Sequence, residues 1–448
     1  MNRNQFLKTT GLAVIGAGIT GLSGCKRSEN SQVDLVNWAG NIHYSAGSVI
    51  YPTSTDEIRN AVMSLPNFKS LGSRHSFSTI ADTTGTLIST DKLNKIIGLN
   101  EEKNLVWCES GVRYGTLAEW LESRGYALHN LASLPHISVA GACTTATHGS
   151  GDRCGNLSTA VHAIEIISPA GEIIKLDKSH PDFYGAVVNL GALGIVTKIA
   201  LAVQPTYQVA QFVFEDLSMD VLKDNFDKIF TSGYSVSLFT HWMNKNINQV
   251  WVKRRLDETY EQSLNNFFGA KPATTHLHPI KANSPVNCTD QMGIPGKWFE
   301  RLPHFKMGFT PSNGAELQTE FFIPRSHAVE AIFAVESLHE KITPALFVTE
   351  IRSIAADEFW MSPAYKQDVV AIHFTWKPLS EPVMAVIPEI QNVLTPFNAI
   401  PHWGKISTWN AAELSSRFPR FNDFKNLVHK YDPRGKQVNE YLKAKLFS

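Results

Sequence analysis

Short apolar runs take turns with helix-like segments between residues 33 and 205. Val49-Ile50-Tyr51 reads as a strand ended by Pro52. Ser54-Thr55-Asp56-Glu57 has the spacing of a capping box and opens a helix that runs through Ala61 to Leu65. Residues 86–89 and 105–108 read as further strands. A helix is expected over 117–124, with Gly125 placed to adopt the left-handed conformation that stops it. Ile164, Ile166 and Ile167 on one side and Glu172, Ile173 and Ile174 on the other flank Pro169-Ala170-Gly171, a hairpin turn. This half is therefore α/β or α+β.

The pattern changes over residues 206–401, where Phe and Trp become frequent. Trp251-Val252-Lys253-Arg254-Arg255 alternates like a strand emerging into charge. Residues 257–285 are polar and contain Pro, as expected of a long loop or short helices. Residues 328–340 have helical period, and 347–354 and 369–376 read as strands. An antiparallel sheet with helices on one side fits. Period-two alternation puts Glu350 and Arg352 on one face of their strand, and His373 and Thr375 on one face of theirs. Spacing leaves two readings open: a solvated face with a surface ion pair, or the polar wall of a pocket.

Composition narrows the choice of partners. The chain has 448 residues, with 41 basic and 41 acidic side chains. That balance carries no footprint for nucleic acid and no polybasic patch for an anionic membrane. Small, largely uncharged substrates suit it better. At the N-terminus Arg3 and Lys8 precede an apolar run from Leu12 to Ile19. Leu22-Ser23-Gly24-Cys25 follows, resembling a lipobox. Residues 1–25 are thus expected to be a signal peptide, with Cys25 lipidated, and the mature chain exported to the periplasm or cell surface and held at a bacterial membrane by that anchor alone. Gly16-Ala17-Gly18-Ile19-Thr20-Gly21 matches a dinucleotide-binding spacing, but the export signal accounts for the same residues. Cys108, Cys143, Cys154 and Cys288 read as small packing residues. The His276-Leu277-His278 pair lacks a third ligand nearby, so no metal is expected.

The segment from Leu131 to Asp152 is rich in Ser, Thr, Gly and Ala and has no long charged side chain until its end. Such a loop lets backbone N–H groups approach a phosphate or a flat ring. It has no P-loop Lys, which argues against nucleotide hydrolysis.

Several motifs occur together in one order: Gly72-Ser73-Arg74-His75-Ser76-Phe77, the 132–141 and 147–151 stretches, Leu190 to Val196, Glu350-Ile351-Arg352, His373-Phe374-Thr375-Trp376, His402-Trp403-Gly404-Lys405 and Asp432-Pro433-Arg434-Gly435-Lys436. From about Asn37 to Leu446 the chain resembles the alditol oxidases of the vanillyl-alcohol-oxidase flavoprotein family, and more distantly the sugar-1,4-lactone oxidases. The resemblance implies an α+β fold. A two-part FAD-binding domain of p-cresol-methylhydroxylase type would cover 33–205. A substrate (cap) domain with an antiparallel sheet flanked by helices would cover 206–401. Residues 402–448 would close the active site and pack back on the FAD domain.

By the same resemblance His75 is bonded covalently to FAD. Gly72, Ser73, Arg74, Ser76, Ser133, Ser138, Gly141, Thr145, Ala146, Thr147, His148 and Val196 hold the cofactor. Ser133, Glu350, Arg352, His373, Thr375 and Lys405 bind substrate, with Arg352, Lys405 and Glu350 catalytic. The implied reaction oxidises the terminal CH₂OH of an alditol such as xylitol or sorbitol to the aldose. Hydride would pass to flavin N5, and O₂ would be reduced to hydrogen peroxide by a monomeric enzyme. Ala132 beside the flavin is compatible with oxidase or dehydrogenase behaviour. A gulono-, galactono- or arabinono-lactone oxidase or dehydrogenase is the neighbouring alternative. A lipid-anchored flavoprotein that binds sugars without turnover is an alternative of another class.

Overall fold

The computed structural model describes residues 35–308 and 315–448. The signal segment, the Gly16–Gly21 spacing and Cys25 lie outside the described residues. Three strands near the start, Ser48–Ile50, Phe68–Leu71 and Thr86–Ser89, form a parallel sheet with Thr86–Ser89 in the middle. Parallel neighbours need a crossover, and helix Thr55–Ser64 supplies it. Ser54 Oγ accepts from Glu57 N at 3.2 Å. The Glu57 carboxylate, however, accepts from Thr53 N, so the box is closed one residue earlier than its spacing suggests. Ile58 and Val62 bury one side of the helix against Phe68, Ile88, Ile167 and Ile195. Gly72–Phe77 leaves the carboxyl end of strand Phe68–Leu71, the end at which open parallel sheets bind ligands.

A second sheet is antiparallel, in the order Ile96–Asn100, Leu105–Glu109, Ile195–Ala202, Val161–Ile167, Ile173–Asp177. The last two strands are the hairpin read from the sequence, and Gly171 takes φ +84° in its turn. Helix Tyr114–Glu122 begins three residues before the expected 117, because Tyr114 and Gly115 are already buried on its inner side. The 131–152 segment is a loop only in part. Val139–Thr144 is a helix, too short and too rich in small residues to show a period.

The third sheet is antiparallel and carries the second half of the chain. Its order is Lys271–Pro272, Gln208–Ser218, Asn246–Arg255, Ser235–Thr240, Leu346–Ile354, Val369–Trp376, Leu317–Pro324, Ile400–Pro401, with Gly296–Lys297 also on Gln208–Ser218. Phe321, Ile323, Ile351, Ile372 and Phe374 share one core with Ile332, Val335, Ile387 and Ile390 of helices Ala328–Glu336 and Ser380–Leu394. The expected 328–340 helix breaks at Ser337–Leu338 and resumes as His339–Ile342. Lys253 does not emerge into charge; it is 1% exposed. All four described cysteines are free and buried.

Residues described from Leu35 onward belong to one unit, so the change at 205–206 is a change of sheet within it. The C-terminal segment binds the first sheet's side: Phe77 N donates to Gly404 O at 2.7 Å, and Phe68 N donates to Lys436 O at 3.0 Å. Among the described residues no helix is long and apolar enough to cross a membrane.

Candidate active site

A cavity of about 480 Å³ runs from the Gly72–Phe77 loop to the polar face of the third sheet. Gly72, Ser73, Arg74, His75, Ser76, Ser133, Gly141, Thr145, Thr147 and His148 line it, as do Glu350, Arg352, His373, Thr375 and Lys405. Ser138, Ala146 and Val196 do not. Ser138 instead stands behind the loop: a Cβ added to either Gly72 or Gly141 would lie 2.7 Å from its Oγ. A side chain at either position would require the Ser138 hydroxyl to rotate away. Arg74 sits at φ +61°, in the left-handed region, within this loop.

His75 stacks on Trp38 with ring centroids 5.1 Å apart. Its Nδ1 lies 2.8 Å from Ser73 O, while Nε2 is buried without a hydrogen-bond partner. Burial lowers its pKa to about 4, so the imidazole is neutral at ordinary pH. An orphaned buried Nε2 and a cavity-lining loop of glycines and short hydroxyl side chains make a cradle of the kind FAD requires. The residues present fit that cofactor.

The far wall is assembled by strand register. Glu350 pairs with His373, and His373 with Glu320, so three neighbouring strands place one polar row across the sheet. Thr375 pairs with Gln318 and Val348 one step along the same face. Glu350 and Arg352 are each 6% exposed, which decides for the pocket wall against the solvated face. Glu320 is the hub. Arg352 Nη2 lies 2.7 Å from its Oε1, His148 Nε2 3.0 Å from the same oxygen, and His373 Nδ1 3.2 Å from Oε2. Arg352 Nε also lies 3.6 Å from Glu350 Oε1. Lys405 Nζ donates to Gln318 Oε1 and lies 4.9 Å from the Phe77 ring centroid.

Burial alone would raise the pKa of Glu320 and Glu350, but Arg352 acting together with His148 and His373 at Glu320, and with His304 and His373 at Glu350, outweighs it and holds both well below the usual carboxylate range. Burial lowers Lys405 to about 8, against the pull of Glu320. Burial also lowers His373 and His402, which are neutral. The wall therefore sets Arg352 and Lys405 against Glu320 and Glu350 among neutral donors, with Glu316 a third cavity-lining carboxyl whose pKa burial raises. His148, Glu320 and His402 converge within 4.8 Å, yet Glu320 already receives the guanidinium of Arg352, a cation built into the cluster.

Sequence reasoning missed Glu320, Gln318 and His304. Strand Leu317–Pro324 was readable: Leu317, Thr319 and Ile323 alternate with Gln318 and Glu320, although Phe321-Phe322 blurs the period. His304 sits in a loop and carries no such signal.

A loop cradle for FAD facing a wall of fixed charges is the layout of an FAD-dependent oxidoreductase, whose cofactor meets its substrate between two sheets. The family described as FAD binding domain matches residues 46–177, and that described as D-arabinono-1,4-lactone oxidase matches residues 310–445. An alditol oxidase from a Streptomyces species is 42% identical over 412 residues, covering 91% of this chain and 98% of that protein. The chain belongs to the alditol oxidase family. An L-gulono-1,4-lactone dehydrogenase from Mycobacterium tuberculosis is 26% identical over 438 residues, covering 92% of this chain and 98% of its own. Cholesterol oxidase from B. sterolicum has the same fold, with a TM-score of 0.75 at 13% identity over 92% of this chain and 96% of that one. The fold is thus α+β with an FAD-binding domain of p-cresol-methylhydroxylase type.

Proposed function

We propose that the protein oxidises the terminal primary alcohol of alditols, such as xylitol and sorbitol, to the aldose. The observation that carries this is the row of Glu320, His373 and Glu350 with Arg352 and Lys405 beside it, facing the FAD cradle across one cavity. A polyol presents a ladder of hydroxyls, and a pocket of fixed donors and acceptors rejects molecules that leave its buried groups unpaired. Glu350 accepts from substrate hydroxyls. His373, Thr375 and Ser133 supply neutral contacts. Arg352 and Lys405 donate to the reacting oxygen and lower the cost of charge on it as its proton leaves. FAD, when bound, supplies the hydride acceptor and the place where O₂ is reduced to hydrogen peroxide.

Finer features belong to the same reading. His75 is the covalent attachment point, supported by its neutral ring and unpartnered Nε2 at the cavity edge. The enzyme acts as a monomer, exported by its N-terminal segment and held at the membrane by a lipidated Cys25, which rests on the Leu22-Ser23-Gly24-Cys25 motif. A second reading is favoured by one observation: the match over 310–445, which spans the wall, is to a lactone oxidase family. The test is anaerobic mixing of the yellow protein with xylitol or with a sugar lactone. Bleaching by xylitol supports the alditol reading. Bleaching by the lactone alone overturns it.

A further inference from the structure

Next to Glu350 lies a buried pair with no role so far, Lys253 and His304, of which His304 also lines the cavity. Lys253, on strand Asn246–Arg255, points into the protein rather than to solvent. Its Nζ donates to Leu302 O and lies 3.3 Å from Pro303 O and 3.2 Å from His304 Nδ1. On the other side of the same ring, His304 Nε2 lies 2.7 Å from Glu350 Oε1. Phe239 and Trp251 meet the ring edge-on, with centroids 5.5 and 5.1 Å away, and hold it in plane.

The donor count fixes the protons. An ammonium has three donors and no acceptor, and Lys253 finds three acceptors: two carbonyls and one imidazole nitrogen. Nδ1 of His304 must then be the acceptor, and a neutral imidazole carries its one proton on Nε2, where Glu350 receives it. Burial, then the Lys253 charge, lowers the His304 pKa to about 4, in keeping with a neutral ring. The main chain of the same residue reaches the cofactor side: His304 N donates to Ser133 O at 3.2 Å. Three residues on, His136 Nε2 lies 2.7 Å from Met307 O. One short segment thus links the Ser133 loop to Glu350.

We propose that Lys253 and His304 are positioning residues that hold Glu350 as a pure hydrogen-bond acceptor at a set distance from Ser133, and so determine which spacing of substrate hydroxyls the pocket accepts. This rests on the reading of the pocket as an alditol site. Lys253, which does not line the cavity, acts through His304 and Glu350. A contact to hydroxyls that do not react is made equally in the bound and transition states, so its loss appears in KM and not in kcat.

The experiment is steady-state kinetics with xylitol at pH 6, where Lys253, lowered by burial to about 7, is chiefly the ammonium. FAD absorbance per chain and thermal melting serve as folding controls. Lys253→Met and His304→Leu are expected to raise KM about 10–100-fold, the range for a hydrogen bond to a charged group, with kcat near wild type. His304→Gln offers an amide N–H to Glu350 and an amide oxygen to Lys253, and is expected to restore KM to within a few-fold of wild type. If His304→Leu does not fold, Lys253→Met against His304→Gln carries the comparison. Wild-type KM in Lys253→Met, a defect in kcat alone, or a Gln variant as impaired as Lys253→Met would overturn the proposal. A wild-type enzyme that does not turn over xylitol would overturn the alditol reading itself, and the proposal with it.

Discussion

Replacing Glu320 by Gln keeps the volume of the hub and removes its charge. Glu320 is 1% exposed and receives Arg352, His148 and His373 at 2.7, 3.0 and 3.2 Å. A Gln there offers one acceptor oxygen for three donors and turns an N–H₂ toward one of them. Arg352 is left with Glu350 as its one anion, 3.6 Å from Nε. Removing one partner of a buried ion pair costs about 3–5 kcal/mol. Part, about 1.5–2 kcal/mol, falls on the fold, lowering Tm by about 2 °C in a chain of this size. The part that displaces Arg352 from the reacting oxygen, about 1.5–3 kcal/mol, lowers kcat/KM about 10–100-fold. Peroxide release against xylitol concentration measures the second, and a thermal melt of the FAD-loaded protein the first. A Glu320→Gln enzyme with wild-type kcat/KM and wild-type Tm would refute the argument that this carboxylate holds Arg352 in place.

Three further outcomes are expected. Lys405→Met removes a donor aimed at the reacting oxygen, and kcat should fall by about 10²–10³ while FAD stays bound at one per chain by absorbance. Acid precipitation should carry the flavin down with the wild-type protein and leave it in the supernatant for His75→Ala. Lys405 titrates near 8 instead of 10.5, and its ammonium is lost as pH rises through that value. The kcat/KM for xylitol should therefore fall above about pH 8, and Lys405→Arg should remove that limb from the profile; a flat profile to pH 10 would contradict the assignment.

Local pattern was legible where one strong period or boundary ruled. Residues 369–376 and 86–89 form the strands read for them because apolar and β-branched positions dominate both runs, with His373 and Ser89 the exceptions. The shared faces of Glu350 with Arg352 and of His373 with Thr375 followed from alternation alone. Their burial did not, because it depends on which strands become neighbours: Glu320 reaches Arg352 and His373 only through register across three strands. Lys253 read as the start of a charged strand end, since nothing local distinguishes a buried Lys from an exposed one; its acceptors come from Leu302, Pro303 and His304, some fifty residues later. Ser138 was placed against the cofactor by its motif, whereas in the fold it does not line the cavity and its Oγ packs against Gly72 and Gly141.

Oxidation of an alditol by this wall and this cradle through a bound flavin has a direct optical signature. The most direct measurement is the visible spectrum of the purified protein mixed anaerobically with xylitol, followed by admission of air. The flavin bands should bleach and then return with release of hydrogen peroxide. A spectrum unchanged by xylitol, from protein carrying its full complement of FAD, would contradict it.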